Sequence, residues 1–188
     1  MASSTARRAS IHSTGSSPGF ITEAVPIVLT SLSRRLDRLS VEEYADMSRR
    51  PSPQLMFDIM GFGKDPTELK PGRAQHLVRA FGPSLQATAE ALGIGLDDFD
   101  GKEQLAVATT DSEIAAGTVR AGTVGGMRTT ISGLRGGEER IRFVATWWCV
   151  DDLDQSWDVL PTGWRVRVEG DVPMDVRIEF DVPIERMA

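Results

Sequence analysis

Residues Gly15 to Phe20 read Gly-Ser-Ser-Pro-Gly-Phe, and an apolar run follows them directly. Backbone N–H groups at a helix start hold phosphate or carboxylate when small residues let the anion come close. Gly15, Ser16, Ser17 and Gly19 are small enough for that, and Phe20 adds an apolar wall. Ser17 suits an N-cap and Pro18 the first helical position, where its missing N–H costs nothing. Taken alone, the segment also fits an ordinary capped helix. A phosphate-binding loop needs a strand to feed it, and nothing upstream in this sequence resembles one.

Other candidate chemistry is sparse. Gly61-Phe62-Gly63-Lys64-Asp65-Pro66 has a Gly-Lys pair without phosphate-loop spacing, and it follows a helix rather than a strand. Gly93-Ile94-Gly95 lacks a third glycine and reads as a helix cap and turn. Asp152, Asp154, Ser156 and Asp158 imitate the start of a calcium loop. The turn glycine is absent, however, and Gly163 stands where a bidentate Glu belongs, so a solvated acidic loop is expected. His12 and His76 are the only histidines and Cys149 the only cysteine, which leaves neither a zinc set nor a Ser-His-Asp triad. No resident metal is expected.

Composition narrows the classes further. With 188 residues, 40% of them apolar, the chain can build one real core. A net charge of −6 without a long basic block argues against nucleic acid as a partner. The longest apolar run, Ala24 to Leu29, is far short of the roughly 20 residues of a membrane span. A single cysteine excludes an internal disulfide framework and points to a reducing, cytoplasmic setting. The first fourteen residues are Ser-rich, with two Arg and no acids. They read as a disordered tail with a weak likeness to a transit peptide.

The elements that must position the lead-in segment follow from periodicity. Phe20, Ile21, Ala24, Val25, Val28, Leu29, Leu32, Leu36 and Leu39 keep near-helical spacing. They predict a helix that Pro26 kinks or splits, with Arg34, Arg35 and Arg38 at its C-terminal end. Leu39 to Ser48 reads as a strand, Ser52 to Met60 as a short helix stopped by Gly61, and Arg73 to Gly93 as a helix bent or broken at Gly82-Pro83. The second half is β-rich: Glu103 to Thr109, the glycine-rich Gly117 to Leu134, a turn at Arg135 to Glu139, and Arg140 to Val150. Glycines 117, 122, 125 and 126 imply a bulge or a close approach. Trp147 and Trp148 must point to opposite faces of their strand, and burial on both sides of the sheet is expected.

A last hairpin pairs Trp164–Gly170 with Asp175–Val182, each with one apolar and one charged face. Charge matching favours Arg165 opposite Asp181, Arg167 opposite Glu179 and Glu169 opposite Arg177, with the turn on Pro173. Helices early and strands late give an α+β fold with a largely antiparallel or mixed sheet and helices on one face.

Three stretches together carry a resemblance: "GSSPGFITEAVPIVLTSL", "VEEYADMS", and "AGTVGGMRTTISGLRGGEERIRFVATWW". In order and spacing they resemble the C-terminal half of the dihydrodipicolinate-reductase-like NAD(P)-dependent oxidoreductases, which include 2,4-diaminopentanoate dehydrogenase. The resemblance covers roughly residues 13 to 188. In that family a Rossmann domain comes first, and the chain enters the second domain through a Gly-x-[Asn/Ser]-Pro-Gly-Phe segment and a kinked apolar helix.

The resemblance implies that Gly15, Ser16, Ser17, Gly19 and Phe20 lie at the junction of substrate and cofactor, with Pro18 among them. It implies NAD(P) for a full-length relative and no cofactor bound by this chain alone. The His-His-Arg-x-Lys segment of true dihydrodipicolinate reductases is absent, which argues against lysine-pathway activity. The sequence also stops at "PIERMA", where relatives continue with a closing helix and strand.

Two functions follow as expectations. In the first, residues 15–188 are the substrate-binding and oligomerisation half of an amino-acid dehydrogenase, inactive alone. Its partners would be a second copy, a separate Rossmann domain and an amino-acid-like substrate. In the second, the chain is a stand-alone dimeric binding or assembly module without catalysis. In either case, apolar surface left on the Phe20 to Leu29 helix should drive association.

Overall fold

A computed structural model describes residues 15–69 and 72–181. The expected tail with His12, the terminal Pro-Ile-Glu-Arg-Met-Ala and Val182 lie outside the described residues. The main sheet contains β1 (Leu36–Asp46), β2 (Asp98–Val107), β5 (Val124–Arg135), β6 (Glu138–Trp148), β7 (Gly163–Gly170) and β8 (Met174–Ile178). β3 (Ser112–Ile114) and β4 (Gly117–Val119) form a separate two-stranded hairpin. The order across the main sheet is β2-β5-β6-β1-β7-β8. β1 runs parallel to β6, and every other pairing is antiparallel. The α+β expectation, with a mixed sheet, holds.

The first helix departs from its expected form. Ser17, Pro18 and Gly19 are not helical, the Ser17–Pro18 peptide is cis, and Gly19 has a φ of 132°. Ser17 is therefore not the N-cap and Pro18 is not the first helical residue. Wide, π-type turns carry the chain through Ala24 into α1 (Val25–Thr30). Pro26 sits inside, and the Thr22 carbonyl that it cannot bond accepts the Thr88 hydroxyl at 2.7 Å. The helix ends at Thr30 rather than running to Leu39. Leu36, Arg38 and Leu39 belong to β1, where Arg38 meets Glu169 at 2.6 Å instead of ending a helix.

The remaining elements follow their local signals. Gly61, with φ 86°, closes the short helical segment Gln54–Met60. α2 (Arg73–Ala91) runs unbroken through Pro83. Pro83 and Arg79 are both exposed, so water can take the carbonyl of Arg79 that the proline leaves without a donor. Gly136 and Gly137 have φ of 58° and 81°, as a two-residue hairpin turn requires. The expected strand from Gly117 to Leu134 is divided: β4 pairs back on β3, and β5 begins at Val124. At Gly125 a Cβ would lie 2.6 Å from Val150 Cγ2, so the close approach inferred from the glycines is real.

The core lies on one face of the sheet. Leu39, Val41, Ile131, Ile141, Phe143, Val166 and Val168 meet Ile21, Phe81 and Leu85, and Phe81 stacks on Phe143 at 4.4 Å. Each such side chain contributes roughly 1.5–3 kcal/mol by burial. Met56, Phe62, Val124, Met127 and Cys149 form a second cluster. Trp147 packs between the two clusters while Trp148 is buried on the other side, so the tryptophans are covered on both faces as expected.

The last hairpin keeps its apolar and charged faces but not its expected register. Arg165 stands opposite Arg177, Arg167 opposite Asp175, and Val168 opposite Met174. This pairing is four residues away from the charge-matched one. The turn explains it: Asp171 accepts the backbone N–H groups of Arg34 and Arg35, each at 3.1 Å. Gly170 packs so closely that a Cβ would lie 2.1 Å from the Arg35 carbonyl oxygen. The β7 charges are balanced from β1 as well, through Glu42 and Arg38, and Asp175 chelates Arg165 diagonally at 2.8 and 2.5 Å.

Candidate functional site

The lead-in segment meets the sheet at Glu43. Across β7, Glu43 faces Trp164 directly, and Trp147 lies diagonally across on β6. The Trp147 indole donates to Glu43 Oε1 at 2.8 Å, and the Trp164 indole donates to Glu43 Oε2 at 3.0 Å. The Ser17 hydroxyl also donates to Glu43 Oε2, and it accepts from Trp164 Nε1 at 3.1 Å. Phe180, 39% exposed, leans on Trp164 with ring centroids 4.9 Å apart. The result is a half-buried carboxylate fixed by two indoles and a hydroxyl beside the lead-in segment.

β1 puts it there by alternation. Leu39, Val41, Glu43 and Ala45 share the core face, so Glu43 enters an apolar row and requires N–H donors. The sequence reading missed Glu43 and Trp164. A usable signal existed: two adjacent acids in an alternating strand with one apolar face must send one carboxylate inward.

Of the expected junction residues, Ser17 touches Glu43, and the segment does not form a free anion nest. Gly15 and Ser16 are exposed and Ser17 is half-buried. The Gly19 amide donates to Thr22 Oγ1 at 2.8 Å, and the Phe20 amide donates to the Gly15 carbonyl at 2.8 Å. Both amides are therefore already used inside the segment. Thr22 in turn bonds Ser84 of α2 at 2.8 Å, which pins the loop to the second helix. Phe20 is 51% exposed, and Ile27, Val28 and Leu32 continue that apolar surface.

The weaker motifs resolve into structural roles. Asp65 caps a turn through the Thr67 amide and hydroxyl, which hold its carboxyl below the usual range. Asp154 accepts the Val107 amide at 2.8 Å. His76 is exposed on α2. Burial, with Asp46 nearby, pushes the Cys149 thiol up to about 12, so it is not a ready nucleophile. Among the described residues, no three His, Cys, Asp or Glu groups stand close enough to hold a metal. None of the described helices is long and apolar enough to cross a membrane.

A mixed six-stranded sheet with helices packed on one face, entered through a Gly-Ser-Ser-Pro-Gly-Phe segment, is the architecture to compare with known proteins. The amine dehydrogenase structure from Mycobacterium smegmatis shares this fold, with a TM-score of 0.66 at 12% identity over 89% of this chain and 48% of that one. An amine dehydrogenase of Streptomyces virginiae is 27% identical over 177 residues, covering 90% of this chain and 49% of the relative. The chain thus spans about half the length of these relatives. The family model for the 2,4-diaminopentanoate dehydrogenase C-terminal domain matches residues 20–185. The chain belongs to that family.

Proposed function

We propose that residues 15–188 form the substrate-binding and oligomerisation half of an NAD(P)-dependent oxidoreductase acting on amines or amino acids. A nucleotide-binding domain would complete the active centre. The observation that carries this reading is the Glu43 carboxylate, held by Ser17, Trp147 and Trp164 at the segment where the domain begins. A carboxylate offers about four lone-pair positions. Three donors occupy this one, and Oε1 keeps capacity for a further N–H. Its fixed negative charge suits the ammonium of an amine or amino acid. The relatives' description as amine dehydrogenases supports the same substrate class.

The residues do not fit the dinucleotide itself. No Gly-x-Gly-x-x-Gly follows a strand, and the Gly19 and Phe20 amides are engaged within their own segment. This half therefore binds no NAD(P) alone and transfers no hydride. The exposed Phe20, Ile27, Val28 and Leu32 are the surface that a nucleotide-binding domain or a second copy covers. A reducing cytoplasm fits the buried free thiol of Cys149.

Tryptophan fluorescence tests the site, because two of its indoles touch Glu43. Titration with an alkylamine or 2,4-diaminopentanoate should change emission saturably, and Glu43→Gln should abolish that change. An unresponsive wild-type chain would reject the assignment of Glu43. Calorimetry with NADPH and NADH should show no saturable heat; tight binding of either would reject the division of labour. Light scattering should show a dimer or larger species, and a monomer at high concentration would reject the oligomerisation part.

A further inference from the structure

The opposite face of the sheet carries a second constellation, separate from Glu43 because neighbouring strand residues point to opposite sides. Around Glu42, the β5, β6 and β7 strands bring Arg128, Arg142, Arg165 and Arg167 to one open cavity of about 420 Å³. The lining holds these four guanidinium groups against the two carboxylates of Glu42 and Asp158. Glu42 is shared: it lies 3.9 Å from Arg142, 3.5 Å from Arg167, and accepts the Tyr44 hydroxyl at 2.7 Å. Arg142 also reaches Glu139 at 3.8 Å. Asp175 is committed to Arg165 and lies 3.9 Å from Arg167, and Asp158 is on the exposed rim.

Arg128 stands apart. Its Nε donates to Thr146 Oγ1 at 3.0 Å, and its guanidinium lies 4.7 Å from the centre of the Trp157 ring. Among the described residues, no carboxylate lies within 4 Å of it, although Glu42 and Asp158 across the cavity act on its charge. Burial pushes its pKa down, against the opposing pull of Tyr44, Glu42 and Asp158. A planar guanidinium held from below by a hydroxyl and from one side by an indole presents its remaining N–H fork to whatever enters the cavity.

We propose that this face binds a small oxyanion-bearing metabolite, with Arg128 as the principal ligand and Arg142 and Arg167 closing on the same group. Phosphate and carboxylate share the required chemistry, so inorganic pyrophosphate and citrate serve as probes. Calorimetric titration of the full chain should give saturable binding of at least one of them. Binding should weaken as salt rises, and which probe binds more tightly distinguishes phosphate from carboxylate.

Arg128→Met should weaken binding at least about tenfold. Arg167→Gln should also weaken it, and it decides the matter if the first variant does not fold. Arg35→Gln, which removes a charge paired with Asp37 elsewhere, should leave binding unchanged. Absence of binding to both probes would overturn the proposal, as would binding that survives the substitutions at Arg128 and Arg167. A dimer that dissociates in Arg128→Met without any anion binding would assign the face to self-association instead, and would equally overturn it.

Discussion

Glu42 and Glu43 are neighbours in β1, yet they inhabit two different molecules in miniature. Glu43 projects into the helix-covered layer, among Leu39, Val41 and Phe143, and draws its donors from indoles and a serine. Glu42 projects onto the opposite face, where it too is buried (8% exposed) and is balanced by arginines and a tyrosine. In the covered layer, apolar burial sets stability and a polar group persists only where it finds hydrogen-bond donors. On the opposite face, a buried carboxylate is offset by guanidinium groups and a hydroxyl, and only the outer arginines reach water. A single alternating strand thus supplies both the fold's interior and its two candidate sites.

The largest test of this contrast compares neighbours on β6. Phe143→Ala should cost about 3–5 kcal/mol in denaturant unfolding, because its ring stacks on Phe81 in a filled core. Val144→Ala, on the other face, should cost about 1 kcal/mol. Equal losses would show that both layers are packed alike.

Next come the two acids. Glu43→Leu leaves the Trp147 indole N–H without its acceptor and the Trp164 indole with Ser17 alone, and should cost about 2 kcal/mol, with altered tryptophan emission. Glu42→Leu should cost about as much, roughly 2 kcal/mol, since the buried Tyr44 hydroxyl loses its acceptor even though Arg167 can turn to solvent. A near-zero loss at either acid in paired melts would break the comparison.

Tyr44 gives a smaller and more specific signal. Burial, then the hydrogen bond to Glu42, pushes its hydroxyl up to about 12. It is the only tyrosine, so phenolate absorbance reports it directly. Because the folded state favours the protonated form, Tyr44 contributes stability fully below the ordinary tyrosine range of about 10. That contribution is lost as pH rises through the folded value of about 12. Glu42→Gln should lower the midpoint, whereas Glu43→Gln should leave it in place. The smallest effect is expected at Arg38→Gln, which removes a partly exposed pair with Glu169 and should cost about 0.2–1 kcal/mol, less at high salt.

Much of this was legible in the residues themselves. Gly61 and Gly93 stop helices, Gly136 and Gly137 turn a hairpin, and the alternation in β7 and β8 separates an apolar from a charged face. The family resemblance rested on ordered motifs that survive in the sequence, and the lead-in segment it singled out does stand beside the carboxylate that anchors the candidate site. The carboxylate itself was passed over, because its donors come from strands more than 100 residues away.

Period and turn chemistry are local, and so the sequence by itself determined which faces are apolar, where glycine must bend the chain, and that the class is α+β. Pairing is not local. Only the tertiary structure decided that the first helix stops at Thr30 and that β1 inserts between β6 and β7. The same holds for the last hairpin, which settles four residues from its best internal charge match. Its register answers to the Arg34 and Arg35 amides that hold Asp171, and to the β1 charges on its other edge. A ladder energy of about 1–2 kcal/mol within one hairpin yields when neighbouring strands offer as much from the other side.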